Sequence, residues 1–328
     1  MNKNLNQIIK RHNLYTIDHE EGNSIVKLSS QNHSMLFQFL NFLSSKNKGK
    51  FNYVFRGTSN LNAQYNVDTH NISLLSDIIF MVGEKGFAFW KDCKSDHGCT
   101  LLLDEDKDEA FEIIWDRIHN KVCNNSFNNE NTRSKIDTFI RNNPSFYCYF
   151  ANVNNHEHFI YTCINSHCKS KIKDYYYSFL HTIGKSGWGK SAFLSTSTDY
   201  VQANNFKNDG ILIYGWIPKK DLKKSTIRYQ DINRNEKEIR KIGLPVYSVS
   251  VYSDQKEICL KCGFLPHFII GFSYKNKFIV NPAIFNNQYD ESTIFDGLCV
   301  DQSKFTEYLN FTNYKRSYIF YEGSFYCM

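Results

Sequence analysis

Gln255 and Glu257 stand one residue apart in the run Val249-Ser-Val-Tyr-Ser-Asp-Gln-Lys-Glu-Ile-Cys-Leu-Lys-Cys-Gly263. In an extended strand, side chains two apart point to the same face. This spacing predicts that a carboxamide and a carboxylate project together from one side of a sheet. A carboxylate stabilises positive charge that develops beside it. A neutral amide can orient another amide or an exocyclic amine. Two distant stretches offer such a pair its partners. Phe55-Arg56-Gly57-Thr58 ends a strand-like run with a guanidinium, and Phe193-Leu194-Ser195-Thr196-Ser197-Thr198 opens another with hydroxyls.

Other groupings compete for the chemistry. Glu236-Lys237-Glu238-Ile239 repeats the spacing of two acids around one residue, but Arg240-Lys241-Ile242-Gly243 lacks the apolar alternation that follows Glu257. Ten cysteines include Cys259-x-x-Cys262 and Cys163-x4-Cys168, with His167 beside the latter. These spacings suit zinc, although buried thiols are ordinary core residues and are the preferred reading. The letters Gly184 to Gly189-Lys190-Ser191 match a phosphate-binding loop, a motif that requires a strand before it and a helix after it. Here a helical pattern precedes it and the β-like run Phe193 to Ser197 follows. The stripe Tyr175-Tyr176-Tyr177 could stack bases, but at helical spacing aromatic residues form core more often.

The elements that must position these residues are legible in outline. Residues 4–12 read as a short helix and Ser34 as the cap of a stronger one carrying Met35, Phe39, Phe42 and Leu43. Phe51 to Gly57 reads as a strand. Residues 72–82 are an apolar block of either type, and Phe87 to Trp90 and Thr100 to Leu103 read as strands. Asp104 to Asn120 is an amphipathic helix with Phe111, Ile114, Trp115 and Ile118 on one face. Residues 124–132 form an Asn-rich loop. Tyr147 to Val153 and His158 to Cys163 read as strands, and Lys171 to Ile183 as a helix stopped by Gly184. Beyond Gly210 strands dominate: Ile211 to Ile217, Val246 to Tyr252, Glu257 to Leu260, Phe268 to Phe272 and Lys277 to Val280, with Tyr318 to Tyr321 in the tail.

Composition sets the bounds. Hydrophobic residues make up 41% and aromatic residues 16%, so the chain is globular rather than disordered. The 27 Phe and 21 Tyr against 5 Pro favour strands. A net charge of +6 permits an anionic partner without demanding one. The N-terminus lacks an apolar core of signal-peptide length, and no apolar run approaches the roughly 20 residues of a membrane span. The expectation is a soluble, cytoplasmic protein with no membrane partner; a secreted effector with a non-cleaved signal is the alternative.

Taken in order, Phe-Arg56-Gly, Ser195-Thr196-Ser197 and Gln255-Lys-Glu257 resemble the Arg–Ser–Glu class of mono-ADP-ribosyltransferases, the clan of C3-like and cholera-type toxins. Ala203, Phe206, Ile211-Leu-Ile-Tyr and Ile217-Pro-Lys resemble the text that follows that family's Ser-Thr-Ser. The resemblance covers residues 51–60 and 185–280. It implies an α+β protein in which two packed, mostly antiparallel β-sheets form a cleft for NAD as co-substrate. It further implies Glu257 as the catalytic carboxylate beside the ribose, Gln255 as the residue facing the acceptor, and Arg56 on the pyrophosphate. Gly57 would let the nicotinamide amide approach, Ser195 would orient Glu257, and Thr196 and Ser197 would support the strand. In that family Gln at position 255 goes with acceptors other than arginine, including nucleobases. The expected organisation is N-terminal helices over 1–50, a transferase domain over 51–280 with an inserted or extended region at 61–184, and an extension over 281–328. The partners implied are NAD, a nucleic-acid or protein acceptor, and a neutralising antitoxin or chaperone protein, as in toxin–antitoxin or phage-defence systems. A non-catalytic module of the same fold and a P-loop hydrolase using Gly184, Lys190 and Ser191 are the competing readings.

Overall fold

A computed structural model of the chain describes residues 5–22, 24–45, 51–59, 71–81, 83–84, 108–123, 137–183, 193–218, 226–248, 256–261, 264 and 266–286. The strands expected at Phe87 to Trp90, Thr100 to Leu103 and Tyr318 to Tyr321, and the loop at 124–132, lie outside these residues. The chain divides into two units. Unit 1 comprises 1–91, 195–226 and 254–328; unit 2 comprises 92–194 and 227–253. The inserted region expected at 61–184 overlaps unit 2, which also takes in 227–253.

Unit 1 is built on an open sheet. Its strands are β1 (Asn13–Asp18), β2 (Ser24–Lys27), β3 (Phe51–Thr58), β4 (Phe193–Ser197), β5 (Ile211–Pro218), β7 (Glu257–Lys261), β8 (Ile269–Tyr274) and β9 (Lys277–Val280). The short β6 (Thr226–Arg228) and β4 both straddle the boundary between the units. The order is β2-β1-β9-β8-β5-β3-β4-β7. β1 runs parallel to β9, whereas β1–β2, β3–β5, β5–β8 and β8–β9 are antiparallel. The protein is therefore α+β and mostly antiparallel, as expected. The described strands belong to one open sheet, however, and two packed sheets are not shown.

Ile211-Leu-Ile-Tyr-Gly-Trp-Ile217 explains the centre. A strand buried on both faces needs a near-continuous apolar run, and this one has Ile211, Leu212, Ile213, Tyr214, Trp216 and Ile217 all buried. Helices cover both faces. Phe39 of α2 (Ser30–Ser45) meets Trp216 at 5.6 Å, and Tyr200 of α8 (Tyr200–Asn205) meets Phe55 at 5.8 Å. On the opposite face Phe80 of α3 (Ile72–Met81) meets Phe272 at 5.7 Å. The N-terminal segment carries the helices α1 (Leu5–Ile9) and α2, and between them β1 and β2, which were not expected, join the sheet. The pattern Leu14, Thr16 and Ile17 buried within β1 is too short for periodicity alone to reveal.

Unit 2 is helical where described: α4 (Glu109–Cys123), α5 (Pro144–Ala151), α6 (His156–Ile164), α7 (Lys169–Ile183) and α9 (Tyr229–Lys241). The strands expected at Tyr147 to Val153 and His158 to Cys163 are helices. Aromatic residues raise β propensity, but Pro144 suits a first helical turn, and Phe146/Phe150 and Phe159/Cys163 bury i,i+4 stripes. The strand expected at Val246 to Tyr252 is irregular through Ser248, and 249–252 lie outside the described residues. Tyr175, Tyr176 and Tyr177 are buried and packed against other rings, so they form core and not a base-stacking platform.

Candidate active site on the β3–β4–β7 strands

The three motif segments meet on neighbouring strands. β3 and β4 join antiparallel at Phe55↔Ser197, and β7 lies on the other side of β4. Thr196 Oγ1 donates to the Ile258 carbonyl at 2.6 Å. Thr198 donates from its backbone N at 3.2 Å and its Oγ1 at 3.3 Å to the Lys256 carbonyl. Partner numbers rise as β4 numbers fall, so this junction is antiparallel too. Opposed residues share a face, which places Ser195 and Ser197 with Glu257 and Cys259, and Thr196 with Ile258. Thr196, Ser197 and Ile258 are buried, while Ser195, Glu257 and Cys259 are half-buried. Glu257 thus opens β7 as a half-buried carboxylate beside serine hydroxyls. Such a site can stabilise a developing cation more strongly than bulk water can.

Arg56 takes a different path. Phe55 shares a face with Ser197, so Arg56, next along β3, leaves on the other. Its Nε donates to Glu84 Oε1 at 2.5 Å and its Nη1 to the Ser195 carbonyl at 2.8 Å. Glu84 is fully buried and Arg56 is 16% exposed. Glu84 owes its position to the end of α3. Gly83, at φ +85°, donates to the Ile78 carbonyl and turns the chain out of the helix. Glu84 then exchanges both backbone hydrogen bonds with Phe264, at 2.9 and 3.0 Å. The structure therefore ties Arg56 to the β4 backbone without grouping its side chain with Glu257.

Gly57 is not open to a ligand on its Cα face. A Cβ there would lie 2.1 Å from the Ala203 carbonyl oxygen and 2.7 Å from Lys207 N. The missing side chain is what lets the segment from α8 lie against β3. Gln255 lies outside the described residues. Lys256, between it and Glu257, has φ +48°, left-handed rather than extended. The strand begins at Glu257. Lys256 is tethered to Asp199 at 2.9 Å. That hydrogen bond, ahead of those from Val201 and Gln202 backbone N–H groups, lowers the Asp199 pKa. Asp199 also caps α8.

The rival groupings fall elsewhere. Glu236 and Glu238 lie on α9, in unit 2, and pair with Arg240 at 2.7 Å and Lys241 at 3.2 Å. Two residues apart on a helix, they do not share a face. Cys163 and Cys168 are buried thiols while His167 is exposed. Burial pushes the Cys163 thiol far up, against the thiolate that zinc requires. Cys259 is half-buried on β7, and Cys262 lies outside the described residues. Gly184, Lys190 and Ser191 also lie outside them, but α7 precedes and β4 follows, the reverse of a phosphate-binding loop.

Sequence reading missed Glu84, Asp199 and the left-handed Lys256. Asp199 carried a signal, an N-cap residue directly after Ser-Thr-Ser-Thr. Glu84 carried only a faint one, an acid following an apolar helix and a glycine. Among the described residues no helix is long and apolar enough to cross a membrane. No family model, curated protein or solved structure matches the chain.

Proposed function

We propose that the chain is an NAD-dependent mono-ADP-ribosyltransferase, acting in the cytoplasm as an intracellular toxin held in check by a neutralising protein. What supports the reading is the adjacency of β3, β4 and β7. Arg56 lies 139 residues from Ser195, and Thr196 lies 62 from Ile258, yet both pairs are hydrogen-bonded. Cleavage of the nicotinamide–ribose bond passes through a cationic ribosyl centre, as in glycoside hydrolysis. Glu257 stabilises that charge, and Ser195 and Ser197 on the same face hold the carboxylate and the ribose. The two-sheet cleft of the family belongs to this reading. β3 pairs with β5 along its whole length but with β4 at Phe55↔Ser197, a narrow joint at which two sheets of a cleft would meet. The acceptor we favour is a nucleic-acid base, with a protein side chain other than arginine nearly its equal, on Gln255 and the net charge of +6.

One observation favours a second reading, a module of this fold without turnover. Arg56 is held by Glu84, and Gly57 is covered by the backbone of Ala203 and Lys207. Incubation of the purified protein with NAD labelled in its adenylate and with whole-cell lysate separates the two. Macromolecular label removed by nuclease places ADP-ribose on nucleic acid; label removed by protease places it on protein. Absence of any macromolecular label contradicts the transferase.

A further inference from the structure

Six cations gather at one end of the unit 1 sheet. Lys10 and Arg11 follow α1, Lys27 ends β2, Lys207 follows α8, and Lys275 and Lys277 lie at the β8–β9 turn. Close contacts hold these segments together. The Asn13 N–H donates to the Asn276 carbonyl at 3.1 Å, and Asn13 pairs with Lys277 across β1 and β9. Tyr15 stands opposite Lys27. The His12 ring lies 6.0 Å from Phe278, and its pKa is lowered first by burial and also by the Lys207 ammonium. Aromatic rings orient three of the cations: Lys277 Nζ lies 5.0 Å from the ring centre of Tyr15, Lys275 Nζ 5.3 Å from Tyr274 and Lys10 Nζ 5.1 Å from Phe37. A ring face attracts an ammonium without neutralising it, and ordering the side chain in advance lowers the entropy lost on binding.

The charge is also unspent. Among the described residues none of the six cations is ion-paired, whereas Lys169, Arg240, Lys241 and Lys256 all are. Five of the six are exposed and Lys207 is half-buried. Asp209 is the single acid in 10–15, 207–210 and 274–277, and α1 and α2 contain none. Six cations less one acid leave an excess of five here, close to the +6 of the whole chain. Lys275 adds a separate signal. It has φ +51° in the two-residue turn between Tyr274 and Lys277, a conformation in which glycine or asparagine costs less. Strain of this kind collects at functional positions. Cations spread over several segments suit a string of phosphates rather than one small anion.

We propose that this end of the sheet is a nucleic-acid surface that takes the phosphate backbone without reading its sequence. β9 and β7 are five strand spacings apart, about 24 Å, so the surface lies outside the candidate active site and binding does not depend on turnover. Fluorescence anisotropy of the full-length protein with a labelled single-stranded RNA and a labelled DNA duplex tests it, between about 50 and 200 mM salt. The wild type binds at least one of them, more weakly as salt rises. The combined Lys10→Gln, Arg11→Gln, Lys275→Asn and Lys277→Gln variant loses at least about tenfold in affinity, and its plot of log affinity against log salt is flatter by about three. Lys275→Asn alone keeps the turn and the melting temperature and flattens the plot by about one. Removing the same charge from unit 2, with Lys171→Gln, Lys237→Gln, Arg240→Gln and Lys241→Gln, leaves binding unchanged. A wild type that binds neither probe overturns the proposal, as does wild-type affinity in the first combined variant. Equal losses in the two combined variants overturn it too, because net charge alone then explains the binding. So does binding to phosphatidylserine vesicles in place of nucleic acid. If the first combined variant does not fold, Lys275→Asn decides, and an unchanged salt plot overturns the proposal. Nicotinamide release is scored separately: a wild type that binds nucleic acid but releases none from NAD keeps this surface and loses the transferase, and release without nucleic-acid binding does the reverse.

Discussion

Unit 1 and unit 2 solve the burial of polar groups in opposite ways. In unit 1 the sheet holds charged and hydroxyl groups in fixed geometry: Arg56 against Glu84 and Thr196 against the Ile258 carbonyl. In unit 2 the described helices enclose aromatic rings. Phe146 alone lies within 4.8 Å of both Phe150 and Phe179, and near Phe139 and Tyr247. Its buried hydroxyls are spent on backbone, Tyr175 on Tyr247 and Tyr176 on Pro245. Strand pairing can join residues from distant segments at atomic spacing, whereas a helical aromatic core supplies stability and leaves few groups for chemistry. The candidate site lies accordingly in unit 1.

Breaking the aromatic core has the largest expected effect. Phe146→Ala should cost about 3–5 kcal/mol, read as a shift of the urea midpoint; a loss below about 1 kcal/mol would mean the ring cluster is not the core of unit 2. High pH comes next. Burial raises the Tyr175, Tyr176, Tyr247 and Tyr214 pKa values above the ordinary 10.0, and three of these four lie in unit 2. Such groups contribute stability that is intact below pH 10, where both states are protonated. Above it the unfolded chain ionises first and stability falls, by about 1.4 kcal/mol per fully buried tyrosine per pH unit. An unchanged urea midpoint between pH 9 and 11 would contradict this. Gly57→Ala drives a methyl group into the Ala203 and Lys207 backbone and should cost about 1–3 kcal/mol or more; a wild-type melting temperature would mean that α8 does not lie against β3. Smallest is Asp199→Ala, which removes a cap and a half-exposed ion pair with Lys256. About 1 kcal/mol is expected, and a larger loss would show that the turn before Glu257 depends on this tether.

The same contrast explains what the sequence revealed. Strands β3, β4, β5, β7, β8 and β9 could be read because apolar runs such as Ile211 to Ile217 mark a central strand and Arg56, Ser195 and Glu257 punctuate the others. Tyr147 to Val153 misled because aromatic residues favour strands locally, while Phe146 and Phe150 obey a helical spacing that only the packed core makes decisive. Glu84 was invisible for another reason. Its role depends on a pairing with Phe264 across 180 positions of the numbering, which no local pattern encodes. The left-handed backbone of Lys256 was likewise illegible, since a left-handed residue other than glycine, asparagine or aspartate leaves little trace in sequence.

Nicotinamide release from NAD by the purified protein, compared with Glu257→Ala, tests the central claim most directly. The account predicts measurable release by the wild type and a loss of at least about a hundredfold in Glu257→Ala, with the melting temperature unchanged and Glu238→Ala fully active. Undiminished release by Glu257→Ala, or loss in Glu238→Ala instead, would contradict it.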